Sequence, residues 1–162
     1  MEKYIISALV QNHSGVLARV SSLFGRRGFN IDSLTVSPTT DPEISRITIV
    51  VIGDEYTLGQ VLKQMAKLEE CIEVVHIEED EAFCWELVLV KIRGDVNDRE
   101  AVRELCGVYH ADVVSSSDET IIARMDGTPS RIDTFLSVIS SFDIVESSRT
   151  GVTAVHKDKN NA

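Results

Sequence analysis

Residues 4–31 constrain this chain more than any other stretch. Tyr4 to Val10 is an apolar, partly β-branched run and predicts a buried strand. Val16, Leu17, Val20, Leu23 and Phe24 follow at helical spacing, and Phe29-Asn30-Ile31 re-enters a strand. Between strand and helix sits a tight polar turn, Asn12-His13-Ser14-Gly15. Ser14 is expected to cap the helix, and Gly15 to let another molecule approach the backbone closely. The first amides of a helix lack intrahelical partners and carry partial positive charge. A small anion, such as the carboxylate of a free amino acid, is stabilised at such a point. Gly28 suits the left-handed end of the helix, with Arg26 and Arg27 complementing its carbonyls.

The same alternation continues to the end of the chain. Ile31–Val36 and Arg46–Ile52 read as strands, separated by a turn that contains Pro38 and Pro42. Asp54 is placed to cap a helix whose core face is Leu58, Val61, Leu62, Met65 and Leu68, and Ile72–Ile77 is a fourth strand. The order is βαββαβ, the ferredoxin-like arrangement, with both helices on one face of an antiparallel sheet. Glu78-Glu79-Asp80-Glu81 reads as a solvated acidic connector. The order then repeats. Trp85–Arg93 is a strand, and a helix through Val102, Leu105, Cys106 and Tyr109 follows, with Asn97 as its expected cap and Glu100 as capping-box partner. A hairpin joins 111–115 to 120–125, and Thr128-Pro129 opens a helix with Pro in its first position. Ile144–Glu146 and Val152–Val155 are expected to close the second sheet. The predicted fold is therefore α+β, two ferredoxin-like βαββαβ units over 1–78 and 84–156, an acidic linker over 79–83 and a polar tail over 157–162.

Composition removes several function classes. Sixteen Lys and Arg stand against 26 Asp and Glu, a net charge of -10, shared evenly by the two halves. Nucleic acid requires a basic footprint, and anionic membrane surfaces attract basic segments, so neither is an expected partner. No apolar run approaches the roughly 20 residues of a membrane span. The start of the chain shows no signal-peptide pattern, so a cytoplasmic location is expected. Cys71, Cys84 and Cys106 are scattered and lack metal spacing; they read as reduced thiols. His13 beside Ser14 lacks the oriented base and third group that nucleophilic catalysis needs, and His76, His110 and His156 lie in separate segments. No Walker loop and no G-x-G-x-x-G is present. The second helix start, Asp95-Val96-Asn97-Asp98, puts carboxylates where an anionic ligand would need amides, so one anion site is expected, in the first unit.

The stretch Asn12-His13-Ser14-Gly15-Val16-Leu17-Ala18-Arg19-Val20, with Arg27-Gly28-Phe29-Asn30-Ile31-Asp32-Ser33-Leu34 and Ser45-Arg46-Ile47-Thr48, resembles the ACT domain of acetolactate synthase small subunits. The resemblance extends over most of the chain. It implies a non-catalytic regulatory subunit that activates a large catalytic subunit and transmits feedback inhibition by valine or a related branched-chain amino acid. It implies no cofactor on this chain, with thiamine diphosphate, magnesium and FAD on the catalytic partner. It implies a homodimer through the ACT domain. The effector site would comprise Asn12, His13, Ser14, Gly15, Val16 and Leu17, with Asn30 and Ile31 reaching across the dimer. Rival classes on the same fold fit less well. An acylphosphatase needs an arginine in the first turn, and an RNA-recognition domain needs aromatics on Ile47–Val51; both are lacking. A free-standing tandem ACT sensor that regulates gene expression is the alternative reading.

Overall fold

A computed structural model describes residues 2–157, and the final residues of the expected tail lie outside the described range. The elements are β1 (Glu2–Gln11), α1 (Val16–Arg27), β2 (Asn30–Pro38), β3 (Ile44–Gly53), α2 (Glu55–Met65) and β4 (Cys71–Ile77). A single 3-10 turn at Glu79–Glu81 leads to β5 (Ala82–Arg93), α3 (Val96–Tyr109), β6 (Asp112–Ser116), β7 (Thr120–Gly127), α4 (Pro129–Ile139), β8 (Asp143–Arg149) and β9 (Thr153–His156). The first sheet has the order β2-β3-β1-β4 and the second β6-β7-β5-β8, with β9 also paired to β5. Both orders are the ferredoxin-like one, so the α+β expectation of two βαββαβ units holds.

In the first unit, period-two alternation on the strands meets helical periodicity on the helices. Tyr4, Ile6, Ala8 and Val10 of β1 and Ile47, Ile49 and Val51 of β3 pack under Val16, Val20 and Phe24 of α1 and Val61 and Met65 of α2. Phe24, Ile6, Ile49 and Met65 are fully buried. Truncating such a side chain to Ala costs about 2–5 kcal/mol. Asp54 caps α2 as expected, its carboxylate accepting from the Thr57 amide. In the second unit, Val88, Val90 and Ile92 of β5 and Ile121, Ala123 and Met125 of β7 meet Val102 and Cys106 of α3 and Ile132, Phe135 and Ile139 of α4. Thr128 precedes α4, with Pro129 in its first turn, as the sequence predicts.

As expected, the last strand joins the second sheet, β9 pairing with β5. By packing, residues 152–157 group with those up to Cys84, leaving Trp85–Gly151 as the second compact unit. The reason is visible in the packing. The face of the first sheet away from its helices carries Ile5, Val50 and Ile77, and these are covered by Ala82, Val152 and Ala154, with Val75 and Cys84 alongside. An apolar sheet face in water is unfavourable by about 25 cal/mol per Å². The returning segment removes part of that cost. The acidic connector is also shorter than expected, because β5 already begins at Ala82.

Candidate functional site

The turn after β1 has an exposed, bare helix start. Gly15, not Ser14, occupies the capping position of α1; it is left-handed, φ 89°, and no side chain caps the helix. Gly15 is the residue type that tolerates this backbone, and a Cβ built there would meet no atom within 4 Å. The first helical bond runs from the Arg19 amide to the Gly15 carbonyl at 3.1 Å. The first turn carries no acidic residue. The amides ahead of Arg19, those of Leu17 and Ala18, therefore face outward with the positive end of the helix dipole. The start of α3 shows the opposite arrangement. There Asp95 accepts from the amides of Asn97 and Asp98, at 2.8 and 3.0 Å, and Asp98 accepts in return from the Asp95 amide. The cap of α3 is thus Asp95 with Asp98, in place of the expected Asn97 with Glu100. Its amides are already taken by carboxylates, as an anion site would forbid.

Neighbouring residues hold the first turn in place. The Asn12 amide group donates to the Pro42 carbonyl at 2.7 Å, and the Asn12 backbone N–H to Glu43 at 2.8 Å. Asn12 thereby ties the turn to the β2–β3 connection, and its side-chain oxygen keeps its accepting capacity. The His13 ring lies 3.1 Å from both the Ser14 carbonyl and the Gln11 side chain, with no carboxylate at either nitrogen. The backbone of Glu70 accepts from Gln11, and its carboxylate pairs with Arg19 one turn into α1.

Asn12, His13, Ser14, Gly15, Val16 and Leu17 are contiguous, Val16 buried and Leu17 43 % exposed. Asn30 and Ile31 are elsewhere. Asn30 is paired with Ile52, which pairs with Lys3, at the far end of the sheet. Twelve helical residues separate the two groups, about 18 Å at 1.5 Å per residue. One chain therefore cannot close a small-molecule pocket from both. Yet β2 is an edge strand of its sheet. Its other end, Pro38, is level with Ser45 and Val10, beside the Asn12–Gly15 turn.

Among the described residues, no group of three His, Cys, Asp or Glu is arranged to hold a metal ion. No helix among them is long and apolar enough to cross a membrane. The three cysteines are unpaired, and burial pushes each thiol pKa up, with Glu79 adding to this at Cys84. Thiols held protonated are weak nucleophiles at neutral pH.

Residues 6–73 match the model of the AHAS small subunit-like ACT domain, and residues 85–158 that of the small subunit of acetolactate synthase. The acetolactate synthase small subunit of Mycolicibacterium smegmatis is 41% identical over 95% of this chain and 91% of its own length. The isozyme 3 small subunit of Escherichia coli is 36% identical over 94% of each. The crystal structure of the acetolactate synthase small subunit from Thermotoga maritima superposes with a TM-score of 0.89 at 32% identity, covering 98% of this chain and 99% of that one. Both halves of the chain, and its fold end to end, thus match one family: the chain belongs to the acetolactate synthase small subunits, and its first unit carries their ACT domain.

Proposed function

We propose that this chain is the regulatory subunit of an acetolactate synthase, activating a catalytic large subunit and conferring feedback inhibition by valine or a related branched-chain amino acid. The observation that carries this reading is the bare start of α1, an exposed turn with no side-chain cap and no acidic residue, in a chain of this family. The effector's carboxylate sits on the amides around Gly15, Val16 and Leu17, and Asn12 offers its free oxygen to the ammonium. Two copies pair antiparallel through the edge strand β2. That pairing brings Asn30 and Ile31 of the partner subunit level with the Pro38 end of β2, and so to the turn. The 18 Å separation within one chain becomes adjacency between two. Catalysis, with thiamine diphosphate, magnesium and FAD, belongs to the large subunit, and this chain works in the cytoplasm. An effector inhibits only as far as it binds one state of the assembly better than another, and the shared pocket at a subunit boundary provides for such a difference.

The test is acetolactate formation by the reconstituted enzyme, titrated with valine. Wild type is expected to stimulate the large subunit and to make it sensitive to valine. Gly15→Asp puts a like charge and a side chain against the effector's carboxylate, and forces a non-glycine residue to φ 89°. The expected outcome is full stimulation with valine sensitivity lost. Unchanged sensitivity would exclude the turn as the effector site.

A further inference from the structure

We propose that the groove between α1 and α2 in the first unit docks an acidic, amphipathic segment of the large subunit. The inference rests on the regulatory-subunit reading. The groove holds about 500 Å³ and is lined by Arg19, Arg26 and Arg27 from α1 and Lys67 just beyond α2, over a floor that includes Leu23 and Leu68. In a chain of net charge -10, four cations converge here and no carboxylate lines the cleft. Among the described residues, only Arg19 of the four has an ion-pair partner, Glu70. Arg26 and Arg27 also complement the carbonyl end of α1, but that role fixes no position for Lys67 on the opposite wall. Leu23 and Leu68 are half-buried against the core, so the cleft offers apolar contact beneath a cationic rim. This is the arrangement that receives one face of an amphipathic segment, with its carboxylates on the rim.

A second copy of the chain does not suit the groove. A two-fold contact through it would set one cationic cleft against another, and like charges in contact repel. The proposed dimer uses the β2 edge, which is separate from this cleft. The occupant is therefore a different chain with negative charge, and the large subunit is the one that the family supplies.

The experiment measures binding of the purified chain to the purified large subunit by isothermal titration calorimetry at two salt concentrations. Arg26→Glu with Lys67→Glu is expected to raise Kd at least tenfold and to flatten its salt dependence. Ser22→Trp fills the cleft without altering charge and is expected to weaken binding similarly. Arg93→Glu with Arg103→Glu, reversed in the second unit, is expected to leave Kd within a factor of two. Valine should still raise the melting temperature of every variant, since none touches the effector turn. If both groove variants bind as wild type does, or if the second-unit control loses as much, the groove assignment is wrong. If wild type itself fails to bind, the subunit reading falls, and the groove assignment with it.

Discussion

The residue with the clearest message is Gly15, whose left-handed backbone starts α1 and leaves its amides uncapped. Ser14 has the right chemistry for a cap but sits one position too early. Local composition could not distinguish the two, because Ser and Gly are both common before a helix. Asn30 carries the complementary prediction. In the proposed pocket Asn30 hydrogen-bonds a charged ligand, so its loss should cost about 1.5–3 kcal/mol, roughly ten- to more than a hundredfold in affinity. Asn30 is exposed at the start of β2, so Asn30→Ala should leave the fold intact. Calorimetric titration of valine into that variant should show the loss, with an unchanged melting temperature in the absence of ligand. Wild-type affinity would remove Asn30 from the pocket.

Among the elements, α1 and α3 occupy equivalent places in the two units and differ at their first turns. Asp95 satisfies two amides and Asp98 returns a third bond, so α3 is closed by its own side chains. Asp95→Ala should lower stability by about 1 kcal/mol, seen as a drop of several degrees in the melting of a unit of this size, while leaving valine response untouched. A thermal melt of the variant against wild type checks it. The sequence shows that carboxylates occupy this turn, but not which one caps: Asp95, Asn97 and Asp98 are all competent, and the backbone entry angle chooses Asp95. The strand β9 illustrates the same limit on a larger element. The alternation of Val152 and Ala154 suits either sheet; the strand pairs with β5, and Ile5, Val50 and Ile77 decide what those two side chains pack against.

At the scale of the whole molecule, a pocket shared between copies makes a prediction that no single-chain pocket makes. In a mixed dimer of one Gly15→Asp chain and one Asn30→Ala chain, one pocket receives both lesions and the other receives neither. Mixing the two variants, after dissociation and reassociation, should therefore restore valine inhibition in part, although each variant alone lacks it. About half of the dimers in an equal mixture would be mixed and would carry one intact site, if association is random. Valine titration of the reconstituted mixture checks it. No restoration would mean that turn and strand start do not meet across the dimer.

Sequence alone determined the βαββαβ order of both units, the core faces of their helices, the capping of α2 by Asp54 and the glycine turn ahead of α1. Each of these follows from residues within a few positions of one another, where strand and helix periods and cap chemistry act directly. Tertiary structure decided what depends on distant segments. It packed Val152 and Ala154 against Ile5, Val50 and Ile77 of the first sheet, although β9 pairs with β5 as the pattern predicts. It set Asn30 a helix length from Gly15, since β1 and β2 run parallel and the helix between them carries the chain back to the end where β1 starts. It brought Arg26 and Lys67 to the two walls of one cleft, though some forty residues of chain lie between them. Pattern along the chain sets each element's inward face, and only packing decides which neighbour that face meets.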